Sequence, residues 1–208
     1  VLTGAGERAF SAGVDLHQMK DLDPEDAEAF ITALHGPARK LLTMSIPAIA
    51  AIRGPCLGGA LELILACDIR IAEEQAQMAL PEAKVGLLPC AGGTQRLTAL
   101  VGTGWAKRMI LCGERIKADK ALELGLVEEL VAKGESLKAA LALAETVGQQ
   151  SPVSVNYCKQ LINSVDTQTM ATGLVEERDL FVDLFGKKDQ AEGVNAFLEK
   201  RTPEWVNG

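Results

Sequence analysis

From Ile46 to Ile52 the chain reads IPAIAAI, an unbroken apolar run of strand length. A strand apolar on both faces is one buried on both faces, as in a parallel sheet. Gly54 and Pro55 end the run, and Gly58-Gly59 opens a segment of helical composition. That segment lies within an apolar stretch, Leu57 to Cys67, which a single acid, Glu62, interrupts. Ile69–Ala72 reads as a further short strand. Upstream, Val1–Thr3 reads as the tail of a strand, broken by Gly4-Ala5-Gly6, and Asp15 is placed to cap a short helix over Leu16–Lys20. Between Pro24 and Thr43 the apolar positions Ala27, Phe30, Ile31, Leu34, Ala38, Leu41 and Leu42 recur at spacings of three and four, which is helical. Strand, helix, strand, helix, strand in this order predicts a parallel sheet with right-handed crossovers.

After Gly92-Gly93-Thr94 the pattern becomes mostly helical. Helices are predicted at Thr94–Val101, Trp105–Leu111, Ala118–Leu124, Ser136–Gln149, Pro152–Val165, Met170–Phe185 and Gln190–Lys200, with one more short strand at Val127–Val131. A shift in composition near Thr146 divides a mixed core, residues 1–145, from a helical region, residues 146–208.

Composition narrows the class. Apolar residues are 48% and aromatics 4%, so the core is aliphatic. The net charge of −7 argues against a nucleic-acid surface, which is basic. Five cysteines, Cys56, Cys67, Cys90, Cys112 and Cys158, form no CxxC pair and no metal-ligand spacing, which reads as reduced thiols in a cytoplasmic protein. Acidic residues or arginine interrupt each apolar run short of membrane-spanning length, so no membrane segment is expected.

The candidate chemistry sits near Glu62 and Glu82. A strand that enters a helix through paired glycines presents bare amide groups, backed by the helix dipole, at one point. Glu62 lies three residues after Gly59, on the same face of the first turns. Donors and a carboxylate aimed at one spot suit a reaction that builds negative charge on oxygen. Glu82, in the run LPEAK, reads on its own as a helix-start acid favoured by the dipole. Gly92-Gly93-Thr94 reads as a plain helix start. The glycines form neither GxxxxGK[ST] nor a GxGxxG after a strand, no serine occupies a GxSxG elbow, and His17 and His35 are too isolated to ligate metal. Residue types and spacing give an α/β enzyme candidate with a carboxylate pair, and stop there.

Several segments in order resemble the enoyl-CoA hydratase/isomerase, or crotonase, family: AFSAGVDL (9–16), IPAIAAIRGPCLGGALELILACDIRIA (46–72), ALPEAKVGLLPCAGGTQRL (79–97), GERIKADKALELGLV (113–127) and AFLEKRTPEW (196–205). The resemblance covers essentially the whole chain. It implies a crotonase-like spiral of ββα and βαβ units with a C-terminal helical oligomerisation region, assembled as a homotrimer or homohexamer, and it implies strands before Val1 that this sequence lacks. It implies catalytic carboxylates at Glu62 and Glu82 and an oxyanion hole from the amides of Val14 and Gly59. Contacts to the acyl-CoA are implied at Ala12, Asp15, Leu16, His17, Gly58, Pro81, Cys90 and Lys200. His17 stands where the family often has lysine, and Cys90 where many members have glycine beside the water site. Because both glutamates are kept, the resemblance favours a hydratase that adds water across the 2,3-double bond of an enoyl-CoA, with no cofactor besides that substrate and no metal. The alternatives are an isomerase or other enolate reaction of the family, or a non-catalytic or RNA-binding member.

Overall fold

Ile49–Ile52 forms β2, and all four residues are buried. The structure, a computed structural model, describes Val1–Asn207. β1 (Leu2–Thr3) pairs with one edge of β2 and β4 (Ile69–Glu73) with the other. β7 (Glu129–Val131) lies beyond β4. All three pairings are parallel, as the alternation of strands and helices predicts, and the order is β1-β2-β4-β7. The register sets Ala50 against Arg70 and Ala51 against Ile71. The strand starts at Ile49 rather than Ile46, beyond Pro47, which has no amide hydrogen for a ladder.

A second sheet was not expected. β3 (Pro55–Leu57) pairs parallel with β5 (Gln77–Ala79), and β5 pairs antiparallel with β6 (Ile116–Lys117). Strands of two or three residues carry no readable period. They exist because Cys56 and Met78, both fully buried, stand opposite each other in the register.

The helices are α1 (Pro24–Thr43), α2 (Gly59–Ile64), α3 (Gly93–Leu111), α4 (Ala118–Glu123), α5 (Ser136–Gly148), α6 (Pro152–Ser164), α7 (Met170–Leu184) and α8 (Lys188–Glu199). α3 contains a break at Gly102, with φ 74° and ψ 162°, so the two helices predicted on either side of it are two straight pieces meeting at a kink. A 3-10 turn over Leu16–Gln18 stands where the short helix after Asp15 was expected. Among the described residues no helix is long and apolar enough to cross a membrane.

The chain divides into two compact units. Val1–Leu42 with Ala48–Ala142 holds both sheets and α1 to α4, around a core that includes Ile52, Leu61, Ile64, Ile71, Met78 and Leu97. Thr43–Pro47 with the chain from Leu143 onward forms the other. In it α6 and α7 pack together, the Lys159 ammonium donates to the Ile46 carbonyl at 3.0 Å, and the Trp205 indole donates to the Gln149 carbonyl at 2.9 Å.

Two buried charges organise the β4 region. Arg70 donates to the carbonyls of Leu126 (2.9 Å) and Cys67 (2.8 Å) and pairs with Glu128. Glu73 is fully buried, accepts from the Ser136 hydroxyl at 2.8 Å and from the Gln75 amide, and forms an ion pair with the Arg53 guanidinium at 3.5 Å. Burial works against its charge, but the bonds from Ser136, Gly134 and Gln75, with Arg53, outweigh it and hold the carboxyl below its ordinary range. A depressed carboxyl pKa contributes stability that is present above the unfolded-state value and lost as pH falls through the folded-state one. Ser136→Ala is therefore expected to cost about 1–3 kcal/mol at neutral pH. Urea unfolding should show that deficit narrowing as Glu73 protonates on acidification.

Candidate active site

The turn from β3 into α2 builds one wall. Gly58 takes φ 61° and ψ −134°, open to glycine but strained for a side chain, and its amide donates to the Ala79 carbonyl of β5 at 2.9 Å. That bond brings the end of β5 beside the turn, and a Cβ on Gly58 would lie 3.3 Å from Glu82 Oε1. Gly59 is the first residue of α2, so its amide has no acceptor within the helix.

The segment before α1 supplies a second amide. Phe10 and Ser11 donate to the Pro55 carbonyl at 3.0 and 3.2 Å, and Leu57 donates back to Ser11 at 3.1 Å. Gly13 then passes so close to the turn that a Cβ on it would meet the Leu57 carbonyl at 2.8 Å and the Gly59 amide nitrogen at 3.2 Å. Its φ of 97° is in the glycine region as well. Val14 follows, against Gly59: a Cβ there would sit 3.1 Å from Val14 Cγ2 and 4.0 Å from Val14 N.

Glu62 lies one turn into α2 and is 3% exposed. Its Oε1 accepts the amides of Ala91 (2.7 Å) and Gly93 (2.8 Å). Gly93 has no room for a side chain, since a Cβ would come within 2.8 Å of that oxygen and of Pro89, and 2.9 Å of Leu80. Gly92-Gly93 thus is a helix start, and in addition a carboxylate clamp.

Glu82 opens a 3-10 turn over Glu82–Val85, just past the fully buried Leu80. Both its carboxylate oxygens are buried without a hydrogen-bond partner among the described residues. Burial pushes this carboxyl above its ordinary range. Its own backbone amide, too poorly placed for a hydrogen bond, offsets part of that, and the neighbouring Glu62 adds to it. Burial likewise pushes the Cys90 thiol up, with both glutamates contributing.

The carboxylates face a cavity of about 290 Å³. Its walls are otherwise neutral and largely aliphatic, and include Leu16, Met19, Leu87 and Leu88 together with Ile31 and Leu34 of α1. Of the residues singled out in the sequence, Ala12, Val14, Leu16, Gly58, Gly59, Glu62, Pro81, Glu82 and Cys90 line it. Three others do not. Asp15 accepts the His17 amide at 2.9 Å and caps the turn that follows, and both side chains are exposed. Lys200 lies in the other unit, exposed, in the left-handed conformation that ends α8. The α1 face and the amides of Ala91 and Gly93 were not foreseen. Among the described residues no group of three or more His, Cys, Asp or Glu side chains is arranged to hold a metal.

Over residues 1–208 the chain matches the family described as enoyl-CoA hydratase/isomerase. It is 40% identical over 204 residues to the short-chain-enoyl-CoA hydratase of Clostridium acetobutylicum, covering 98% of this chain and 78% of that protein. It is 38% identical over 210 residues to the 2,3-dehydroadipyl-CoA hydratase of Escherichia coli, covering 99% and 79%. Among solved structures, DspI of Pseudomonas aeruginosa is similar with a TM-score of 0.94 at 55% identity, over 98% of this chain and 78% of that one. An enoyl-CoA hydratase of Bacillus anthracis gives 0.94 at 39% identity, over 99% and 80%. The α/β fold is the crotonase fold of these structures.

A carboxyl whose folded-state pKa is raised adds stability that is complete below the unfolded-state value and is lost as pH rises through the folded-state one. Glutamine is neutral throughout. Glu82→Gln is therefore expected to raise the melting temperature at pH 7–8, with a gain that shrinks toward pH 4. A calorimetric series across that range checks it.

Proposed function

Because this chain belongs to the enoyl-CoA hydratase/isomerase family, we propose that it adds water across the 2,3-double bond of an enoyl-CoA thioester. The observation that carries the reading is the asymmetry of the two glutamates at one apolar cavity. Glu62 has one oxygen fixed by two amides, whereas Glu82 has both oxygens buried and unbonded. Paired carboxyls whose environments differ in this way divide acid from base.

In this mechanism the thioester oxygen sits between the amides of Val14 and Gly59. Charge grows on that oxygen as the enolate forms, and each preorganised donor stabilises it by ~3–4 kcal/mol. Glu62 keeps Oε1 on the Ala91 and Gly93 amides and turns Oε2 to the water, taking its proton as the oxygen attacks C3. Glu82, its pKa raised by burial, is the acid that delivers a proton to C2. The product is a 3-hydroxyacyl thioester. The proton gained by Glu62 returns to Glu82 through the next water, so no cofactor enters the cycle. The aliphatic wall formed by Ile31, Leu34, Leu87 and Leu88 receives the acyl chain.

Glu62→Gln and Glu82→Gln are each expected to lower the hydration rate by about 10²–10⁴-fold. KM should change little, and the double variant should be scarcely worse than the poorer single one, because the pair acts on one water and one carbon. The assay is loss of the conjugated thioester absorbance. Wild-type hydration by Glu62→Gln would sink the two-carboxylate reading, and an isomerase with a single essential carboxylate would tolerate one of the changes.

We also propose assembly as a trimer or hexamer. Ile162, Phe181, Phe185, Phe197 and Leu198 on and beside α6, α7 and α8 are 61% to 83% exposed, more large apolar surface than a lone chain leaves uncovered. Light scattering at micromolar concentration is expected to give three or six times the chain mass.

A further inference from the structure

The amides that hold Glu62 belong to peptides whose carbonyls are held as well. The Gly93 amide shares its peptide with the Gly92 carbonyl, which accepts the amides of Gln95 (3.2 Å) and Arg96 (2.9 Å) in the first turn of α3. The Ala91 amide shares its peptide with the Cys90 carbonyl, and that carbonyl is bound by Nε2 of His35, on α1. The carbonyl between them, of Ala91, accepts Nη1 of Arg96 at 2.8 Å. Three successive carbonyls are therefore fixed, and His35 is the one of these donors that comes from outside the segment itself.

A carbonyl oxygen can only accept, so the bond places a hydrogen on His35 Nε2. The Cys90–Ala91 peptide is trans, and in a planar trans peptide the C=O and N–H point in opposite directions. His35 Nε2–H, the Cys90–Ala91 peptide and Glu62 Oε1 thus form one directed line of hydrogen bonds. Each bond in such a line polarises the next.

We propose that His35 is a positioning residue for the hydration reaction: by holding the Cys90 carbonyl it fixes the rotation of that peptide and aims the Ala91 amide at Glu62. The assignment rests on Glu62 acting on water as described above. Without His35 the peptide is free to rotate about its flanking bonds, and Oε1 keeps a firm donor in Gly93 alone. Glu62 then swings about that single contact and Oε2 leaves the line to the water. α1 also carries Ile31 and Leu34 on the cavity wall, so the helix that touches the acyl chain is the helix that steadies the base.

His35→Leu is expected to lower kcat on the order of tenfold, the scale of a sub-ångström misplacement of a reacting group. KM should stay within about twofold, because the residue leaves substrate binding alone. Glutamine places an amide N–H near the position of Nε2, so His35→Gln should recover most of the rate. The deciding measurement is a double-mutant cycle with Glu62→Gln. If His35 acts through Glu62, His35→Leu costs little further in the Glu62→Gln background. An equal factor in both backgrounds overturns the proposal, since a purely structural staple would act alike in each. An unimpaired His35→Leu overturns it as well. A Glu62→Gln variant that keeps the parent rate instead removes the mechanism on which the assignment rests, and the two failures are told apart. Melting temperatures screen for misfolding. Should His35→Leu not fold, the same cycle is run with His35→Asn, whose amide falls short of the carbonyl.

Discussion

A carboxylate only 3% exposed must be given donors, and the way Glu62 gets them governs the site. Leaving such a group unpaired costs several kcal/mol. Here the donors are two backbone amides, 2.7 and 2.8 Å from a single oxygen. A Cβ at position 93 would come within 2.8 Å of that oxygen, so this position must be glycine, and the chain enters it through Gly92 at φ 99°. The first turn of α3 then starts where the clamp needs it. The other side is set by the sheet: Gly58 bonds to Ala79 at the end of β5, which draws the following residues Leu80, Pro81 and Glu82 alongside α2. Without the short β3–β5 pairing the two glutamates, twenty residues apart in sequence, would have no reason to meet.

Three glutamates in this fold show how burial and partners separate structure from chemistry. Glu73 is fully buried and surrounded by donors, so its carboxyl titrates low and it serves the β4 region as a fixed charge. Glu62 is buried with one oxygen satisfied and the other available. Glu82 has buried oxygens with no partner among the described residues and titrates high. A chain that optimised stability alone would give Glu82 a donor or replace it. Keeping it desolvated is the kind of local cost that marks a working site.

What could be read from the chain follows the same physics. β2 was legible because a strand buried on both faces leaves a continuous apolar run, and the helices because their apolar positions repeat. β3, β5 and β6 were not, since two or three residues hold no period and their pairing is tertiary. Glu62 stood out as an acid amid small and apolar neighbours. Glu82 did not: spacing alone gave it a dipole-favoured helix start, and its role came from resemblance. Its unbonded oxygens are a property of the folded surroundings, not of its sequence neighbours. The amides of Ala91 and Gly93 are backbone groups, which leave no residue signature beyond the paired glycines. His35 was set aside because a lone histidine is a poor metal ligand, and its contact with a carbonyl 55 residues away has no local sign.

On the proposed mechanism, the apolar wall and the two carboxyls are one device. Every lining side chain but the two glutamates is uncharged, so the field at the reacting atoms comes from carboxylates and oriented amides in a medium that screens them weakly. In that mechanism, an acyl chain filling the cavity removes water from beside Glu82 and favours its neutral form further, because desolvation is the first cause of the upward shift. On the proposed mechanism, substrate binding therefore keeps the acid protonated at the moment it is needed. It also strengthens the amides of Val14 and Gly59 toward the enolate oxygen, since donors in a dry site act through a lower dielectric. Glu62, by contrast, keeps one oxygen on the amides of Ala91 and Gly93. The proposed division of labour between two chemically identical side chains is thus set by where the backbone puts its hydrogens.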